Sequence, residues 1–368
     1  CAQRYNYLLE SYRLKAYFYH QQKPNAMSKN IFFLSAFLVL SSCKTTSSIS
    51  KVEGDTSDFT IAFGSCNKHD LPNLLWDDIE ATNPDVWIWG GDIIYADTDD
   101  MNELRRVYKA QDEVVGYKRL KSKVPVIGSW DDHDYGLNDG GVEFSAKQES
   151  QQELLDFLDV PKDSPRRQQE GVYATHDYDL PNGKVKVIVL DTRYFRTALT
   201  PDTETKKRNK PNEYGKGTIL GETQWQWLNK TLSNSNADFN VILSSVQFLS
   251  NEHGFECWGN FPHEVDKLKA MIPASNAKGV IILSGDRHIS EFSKTKIEGL
   301  KYPLIDFTSS GLTHAYSKFT EEVNPFRVGE VVSTESFGVL EFDFSKKEVV
   351  FKMVGNKGII LGELRESY

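Results

Sequence analysis

Short apolar runs rich in β-branched and aromatic residues recur along the chain, and each has the make-up of a buried strand. Between them lie longer stretches in which apolar residues return every three or four positions, as in amphipathic helices. The apolar runs occupy residues 59–63, 85–89, 124–127 and 279–283, and the helical stretches occupy 71–82, 102–120 and 143–158. This alternation predicts an α/β domain, and the several antiparallel pieces suit two packed sheets flanked by helices.

The later part of the chain adds three local predictions. Residues 200–217 are dense in Lys, Asn, Pro and Gly, which predicts a long polar excursion near the cleft. A helix is predicted at 223–232, with Thr223 as its cap. Residues 337–354 alternate between apolar and polar positions on either side of Ser-Lys-Lys, which predicts a terminal hairpin.

Asp92 follows the second apolar run, within the sequence Trp-Gly-Gly-Asp-Ile-Ile-Tyr of residues 89–95. The two glycines let the backbone turn tightly and bring Asp92 and Tyr95 to the C-terminal edge of a sheet, where open α/β folds bind ligands. An aspartate can bridge two cations with its two oxygens, and a tyrosinate suits a ferric ion. An aspartate after a strand is also common in ordinary turns and helix caps, so the other strand ends decide between the two interpretations.

The three other apolar runs also end in groups able to bind a metal. They are followed by Cys66, by Asp131-Asp132-His133-Asp134 and by Asp286-Arg287-His288. If the ends meet at one edge, they offer a thiolate, a phenolate, imidazoles and several carboxylates, which suits one harder or redox-capable ion beside an oxygen-loving ion such as calcium. Carboxylates packed this closely repel one another unless cations neutralise them, so the cluster predicts a metal site.

Each of these residues also has a structural interpretation. Cys66 alone is typical of a small buried apolar residue. Asp131 and Asp134 can accept hydrogen bonds within their loop, and His133 can be a solvated loop residue. The joint pattern of four strand ends favours metal binding over these separate explanations.

Taken in order, the motifs resemble those of the PhoD-like alkaline phosphatases, a branch of the calcineurin-like metallophosphoesterases. The resemblance covers roughly residues 58–315. It rests on Gly-Ser-Cys66, Gly-Asp92-Ile-Ile-Tyr95, Trp130-Asp131-Asp132-His133-Asp134, Leu190-Asp191-Thr192-Arg193 and Gly285-Asp286-Arg287-His288. It implies a four-layer αββα sandwich of two mixed sheets for residues 58–368, and metal-dependent hydrolysis of phosphate esters, as an alkaline phosphatase or phosphodiesterase, at a binuclear site.

The resemblance also implies how the first metal is held. Cys66, Tyr95 and His288 would bind an iron-type ion. Asp92 would bridge this ion to the second one.

On the calcium side, the resemblance implies that Asp132 and Asp286 face the ion. Asn138 is a further candidate, for this ion or for substrate binding. Many members of the superfamily carry a metal-binding histidine after a late strand, but here that strand continues as Ser-Ser-Val-Gln. Ser245 or Gln247 would therefore fill the space.

Two residues are predicted to act on the substrate itself. His133 matches the position where the superfamily places a histidine that assists the phosphate and the leaving group. Arg193 follows a strand, where a guanidinium is a natural bidentate clamp for phosphate, although it can also pair with a surface acid. The two metals would lower the pKa of a bound water and so provide a hydroxide nucleophile.

Two alternatives to a general phosphoesterase remain open. One is a narrow phosphodiesterase acting on lipid or teichoic-type diesters. The other is a surface-anchored binding lipoprotein that keeps the fold without the catalysis.

The N-terminal part predicts export. Residues 27–43 combine a short positive start, an apolar run too short to span a bilayer and a small-residue cleavage signal ending in Cys43. This pattern looks like a bacterial lipoprotein signal, with Cys43 lipidated and 44–57 as a polar tether. Residues 1–26 are then not part of the mature protein, which we expect to be lipid-anchored in the cell envelope, on its periplasmic or outer-membrane face.

Composition adds limits to the choice of partners. The net charge is −9, which argues against a nucleic-acid groove and does not favour unaided binding to anionic lipids. We therefore expect a phosphate-ester substrate, contact with the membrane only through the lipid anchor, and a monomer. Of the four cysteines, only Cys66 and Cys257 lie beyond the tether, and no disulfide framework is predicted.

Overall fold

The computed structural model of the protein describes residues 57–368. The predicted leader, the lipidation site Cys43 and nearly all of the tether lie outside the described residues, so these predictions stay predictions. Within 57–368, no helix combines the length and the apolar character needed to cross a membrane.

Strands make up most of the regular structure in this part of the chain. In chain order they are β1 Phe59–Gly64, β2 Val86–Gly90, β3 Val126–Ser129, β4 Ala174–Leu180, β5 Gly183–Val189, β6 Thr200–Pro201, β7 Asn209–Lys210, β8 Phe239–Leu243, β9 Val280–Ser284, β10 Ser290–Thr295, β11 Leu304–Ser309, β12 Arg327–Val332, β13 Ser336–Asp343, β14 Glu348–Gly355 and β15 Ile360–Ser367.

The α-helices of the described residues are, in chain order, α1 Trp76–Ala81, α2 Met101–Asp112, α3 Val115–Lys121, α4 Asp132–Tyr135, α5 Lys147–Phe157, α6 Gly221–Ser233 and α7 Pro262–Ala274. Short 3-10 turns lie at Pro165–Arg167, Trp258–Asn260 and Asn356–Gly358.

Two large mixed sheets form the centre of the fold. The first has the strand order β15-β14-β13-β1-β2-β3, and the second has the order β12-β10-β11-β9-β8-β5-β4. In the first sheet β1, β2 and β3 run parallel, and in the second β5, β8, β9 and β11 run parallel. The remaining pairs are antiparallel, so both sheets are mixed, as predicted.

The two sheets pack face to face through alternate side chains of their strands, because successive residues of a strand point to opposite faces. Phe63 and Ile88 of the first sheet share one buried cluster with Val187, Val241 and Leu283 of the second. This cluster is the layer between the sheets.

The outward faces of both sheets are covered by helices. Trp87 and Trp89 of β2 pack in one buried cluster with Leu104 of α2 and Leu154 of α5. On the other side, Ile242 of β8 packs with residues of α6 and α7 in a third cluster. Residues 57–368 therefore form the four-layer αββα sandwich that the resemblance implied.

Several predicted elements differ in extent. The helix predicted at 71–82 begins only at Trp76, and Leu74 is exposed. The stretch 102–120 is two helices, interrupted at Glu113 and Val114. Thr223 does not cap α6, which already begins at Gly221 with Leu220 before it.

The excursion at 200–217 contains the small hairpin of β6 and β7. The predicted terminal hairpin of β13 and β14 is confirmed. The sequence analysis missed β15, which pairs with β14 along the edge of the first sheet.

Candidate metal centre

The predicted strand ends meet at one edge of the sandwich. Because β1, β2 and β3 are parallel, their C-terminal ends lie side by side, and the same holds for β5, β8 and β9 in the other sheet. The side chains that follow these ends are those of Cys66, Asp92, Asp131, Asp132, Arg193, Ser245, Asp286 and His288. The fold thus brings the motifs from both sheets to a common site.

A first group of donors surrounds the side chain of Asp92. Oδ2 of Asp92 lies 3.5 Å from Sγ of Cys66 and 3.1 Å from the hydroxyl of Tyr95. That hydroxyl lies 3.3 Å from Nε2 of His288. The four residues predicted for the iron-type ion, with Asp92 as the bridge, are therefore assembled in one place.

A second group consists of carboxylates. One ligand atom each from Asp131, Asp132 and Asp286 lies within 4.8 Å of the others. A further triad of Asp92, Asp132 and His133 satisfies the same limit and overlaps both groups. Asp92 and Asp132 therefore connect the two groups, as expected for two adjacent cation positions.

The backbone at this edge is held in an uncommon conformation. Cys66, Asp92, Asp286 and His288 have φ values of 57°, 49°, 68° and 55°. Residues other than glycine rarely adopt this left-handed backbone conformation, and those that do cluster at functional sites. Gly91, at φ 93°, has no room for a side chain, because a Cβ there would lie 2.6 Å from Cβ of Asp131.

Burial and mutual repulsion disfavour the ionised forms of most acidic groups in the site. Burial, and then the neighbouring carboxylates, raise the pKa of Asp92 well above its usual range. The same two causes raise the pKa of Asp286, and burial raises that of Asp131 to about 7. Burial and the charge of Asp92 also raise the pKa of the Cys66 thiol and the Tyr95 phenol.

The pKa of Asp132 is lowered, whereas those of the neighbouring aspartates Asp92, Asp131 and Asp286 are raised. Burial opposes its ionisation, but Arg193, His133 and two hydrogen bonds together lower its pKa. The hydrogen bonds come from the backbone N–H of Asp139, at 2.7 Å, and from the Asn138 amide, at 2.9 Å, both to Oδ2. Asn138 thus lies on the predicted calcium side, where it contacts a carboxylate of the site.

Two buried carboxylate oxygens show that the site fits cations. Oδ1 of Asp131 accepts hydrogen bonds from Arg193 and Ser245, whereas its Oδ2 is buried without a partner. Oδ2 of Asp132 is likewise held, and its Oδ1 is buried without a partner. Each carboxylate is fixed by the protein through one oxygen and leaves the other for a ligand, which is how metal-binding carboxylates are oriented.

Asp134 has a structural role. Its Oδ1 accepts from the backbone N–H of Asp131 at 2.6 Å, and its Oδ2 accepts from that of Ile93 at 3.1 Å. It therefore joins the loop after β3 to the loop after β2, and it appears in none of the three metal-binding triads.

Arg193 lies buried in the site, between two acids. Its side chain is 0% exposed. Nε donates to Oδ1 of Asp131 at 2.7 Å, and Nη1 donates to Oε2 of Glu256 at 2.5 Å. Both acids thus hold the guanidinium in place, and the phosphate clamp expected from the sequence stays a prediction.

Of the two residues expected to fill the space of the missing histidine, Ser245 is the one that contacts a carboxylate of the site. Oγ of Ser245 donates to Oδ1 of Asp131 at 2.6 Å. Gln247 instead donates to Glu291 and Thr308, within the second sheet.

His133 is oriented by an exposed acid that the sequence analysis did not single out. Its Nδ1 lies 2.8 Å from Oδ1 of Asp97, and its ring stacks on Tyr95 with a centroid distance of 4.1 Å. Burial alone would lower the pKa of His133, but Asp97, Asp132 and Asp131 together raise it to about 9. In the absence of cations His133 is therefore protonated at neutral pH.

His314 is a further site residue that sequence reasoning missed. Its ring lies 4.3 Å from that of His288 and 5.1 Å from that of Tyr95. It belongs to a loop beyond β11 without a strand-end motif, so no local signal marked it.

The sandwich and its strand-end donors define a fold of the metallophosphoesterase type. The structure of PhoD has this fold, with a TM-score of 0.64 at 17% identity over 84% of this chain and 68% of that one. A dimetal phosphatase from Danio rerio has a TM-score of 0.52 at 14% identity, over 85% of this chain and 99% of that one. GAP50, described as the anchor in the inner membrane complex of Plasmodium, has a TM-score of 0.55 at 13% identity over 84% and 88% of the two chains.

The family follows from the sequence comparison. The profile of the PhoD-like phosphatases matches residues 61–324, which is more than half of the chain, and the protein belongs to this family. Alkaline phosphatase D of Bacillus subtilis (strain 168) is 29% identical over 140 residues. That match spans 33% of this chain and 24% of the relative.

Proposed function

We propose that the protein hydrolyses phosphate esters at a binuclear metal centre. The observation that carries this proposal is the overlap of the three triads through Asp92 and Asp132. This overlap supports two adjacent cation positions, the arrangement that two-metal sites use for in-line displacement at phosphorus. Membership of the PhoD-like phosphatase family supports the same reaction.

For the metals, we infer an iron-type ion and a calcium ion. A thiolate, a phenolate and an imidazole surround the first position, which favours a transition metal. The second position is lined by carboxylate oxygens of Asp131, Asp132 and Asp286, the ligand type that calcium prefers. Burial and the charge of Asp92 raise the pKa of Cys66 and of Tyr95, and a bound cation would favour the ionised forms of both.

When bound, a metal pair polarises the phosphoryl oxygens and lowers the pKa of water toward neutrality. The residues of the chain then orient the reactants. His133 keeps one ring nitrogen on Asp97 and holds a proton on the other, where it can protonate the departing alkoxide. Arg193 would fix Asp131 through its guanidinium, which donates to Oδ1 of that carboxylate.

Hydrolysis of two chromogenic esters tests this proposal. The chain is stripped with a chelator, reloaded with iron and calcium, and assayed with bis-p-nitrophenyl phosphate and with p-nitrophenyl phosphate. We expect turnover only after reloading, and the ratio of the two rates distinguishes a diesterase from a monoesterase. Folded, metal-loaded protein that releases nitrophenol from neither ester would contradict the proposal.

We also propose that Cys43 carries a lipid anchor in the cell envelope, on the basis of the signal pattern at 27–43. Expression in a bacterium fed a labelled fatty acid tests it. The wild-type chain should incorporate the label, and Cys43→Ser should not. Equal labelling of both chains would contradict the anchor.

A further inference from the structure

A cavity of about 600 Å³ lies at the edge of the second sheet that is opposite to the metal centre. Its lining residues include Asp238 and Gly279, which directly precede β8 and β9. The other ends of these two strands lead to Ser245 and Asp286. Because each strand has five residues and is therefore roughly 15 Å long, the cavity is a separate place from the metal centre.

Aromatic rings form part of the cavity wall. The ring of Phe239 lies 5.7 Å from that of Phe344 and 5.6 Å from that of Tyr368, between centroids. The ring of Tyr368 in turn lies 4.9 Å from that of Tyr302. All four residues line the cavity, and the two tyrosines remain partly exposed. The flat apolar body of an aromatic ligand can therefore pack against this wall.

The lining of the cavity also carries positive charge. Lys278, Lys301 and Lys347 are exposed residues of the lining, and none of them forms an ion pair with another described residue. Asp238 is the one acid that lines the cavity in the described part of the chain, and its Oδ2 already accepts the backbone N–H of Lys184 at 2.9 Å. The cavity therefore attracts anions, although the whole chain has a net charge of −9.

One polar group of the cavity wall lacks a partner. The hydroxyl oxygen of Tyr368 is buried and makes no hydrogen bond with the described residues. The hydroxyl of Tyr302 beside it, in contrast, accepts the backbone N–H of Val280 at 3.0 Å. Buried polar groups nearly always have a partner, and a ligand or an ordered water explains many exceptions. An acceptor oxygen of a bound anion would supply this partner.

We propose that this cavity is a second ligand site, which binds a small aromatic anion. The aromatic wall receives the apolar body of the anion, and the three lysines attract its acidic group. The volume suits such a ligand, because small-molecule sites usually measure about 300–1,000 Å³. The proposal does not depend on the hydrolysis of phosphate esters, since none of the described lining residues belongs to the metal centre.

Two fluorescent probes with the same ring system test the proposal on the full chain. Anilinonaphthalene sulfonate is an aromatic anion, and phenylnaphthylamine is the same molecule without the sulfonate. We expect saturable binding of the sulfonate probe. Its affinity should fall roughly two- to fivefold in Lys301→Gln, because a partly solvated charge pair contributes modestly to binding. The affinity for the neutral probe should stay the same, because the aromatic wall is unchanged.

Lys296→Gln is the matched control, because Lys296 is an exposed lysine of the same loop between β10 and β11 and does not line the cavity. It should keep the wild-type affinity for both probes. Tyr368→Phe removes only the unpartnered hydroxyl and should weaken binding of the sulfonate probe alone. An unchanged affinity for that probe in either Lys301→Gln or Tyr368→Phe would overturn the proposal, and so would an equal loss in Lys296→Gln.

A comparison with and without chelator separates the cavity from the metal centre, which would also attract an anion when loaded. The sulfonate probe should bind equally well to the metal-loaded chain and to the chain in chelator, because the cavity lies at the opposite edge of the sheet. Loss of binding in chelator would assign the probe to the metal centre and overturn the second site.

Discussion

Replacement of Arg193 by methionine tests whether this residue supports the site or clamps the substrate. The substitution keeps an unbranched side chain of similar length and removes the charge. It leaves Asp131, at 0% exposure, and Glu256, at 5%, without the cation that both contact. Glu256 keeps only its second partner, Arg196, at 2.9 Å.

The size of the effect follows from burial. Removal of one partner from a buried ion pair costs about 3–5 kcal/mol of folding free energy, because the remaining charge stays in a poorly solvated place. Bound cations would neutralise part of the charge of Asp131, so the full cost is expected only in the metal-free protein. Arg106→Met is a matched control, since the Arg106–Glu103 pair has side-chain exposures of 63% and 42%. An exposed pair contributes about 0.2–1 kcal/mol.

The assay is urea unfolding in chelator, followed by tryptophan fluorescence. We expect Arg193→Met to lower the free energy of unfolding by several times the loss in Arg106→Met. If the two variants lose equal stability, the support role is refuted. An increase in KM for the nitrophenyl esters, with stability unchanged, would restore Arg193 as a direct phosphate clamp.

Three further predictions concern single side chains. Cys66→Ser should lose the iron-type metal in elemental analysis. Cys257→Ser, which removes the other buried thiol of the described residues, should keep that metal. Equal metal content in the two variants would mean that Cys66 is a buried core residue and not a metal ligand. Asp97→Asn removes the acid that holds Nδ1 of His133, so kcat should fall roughly tenfold with metal content unchanged, and an unaltered kcat would exclude this pairing from the mechanism. Burial and the charge of Arg166 lower the pKa of His176 to about 4 in the folded chain. In the unfolded chain the same histidine binds a proton near pH 6.5, so between these two pH values only the unfolded chain is protonated there. Stability should therefore fall from about pH 6.5 toward pH 4, by up to ~3 kcal/mol from this residue, and His176→Gln should flatten that slope; an identical slope in both proteins would refute the assignment.

The strand-end residues of the site were predictable because their signals are local. A β-branched run followed by a glycine and a metal-binding residue marks Cys66, Asp92 and Asp286. Parallel strands then bring such ends together without further information. The same local pattern accounts for the two mixed sheets and for the hairpin of β13 and β14.

The missed features depend on contacts between distant parts of the chain. Arg193 becomes buried because Glu256, 63 positions away, completes its ion pairs. His314 reaches the site through a loop that follows a strand in the second sheet, and no periodicity marks it. Asp97 orients His133 across 36 positions. In each case the role depends on a partner that a sequence pattern cannot specify.

The central claim, two metal ions joined by Asp92, is tested most directly by metal stoichiometry. The chain is loaded with iron and calcium, freed of unbound ions and analysed for both elements, together with Asp92→Asn and with Asp99→Asn as an exposed control in the same loop. We predict two ions per chain in the wild type and in Asp99→Asn, and loss of both in Asp92→Asn. Retention of both ions in Asp92→Asn, or a single ion in the wild type, would contradict the binuclear site.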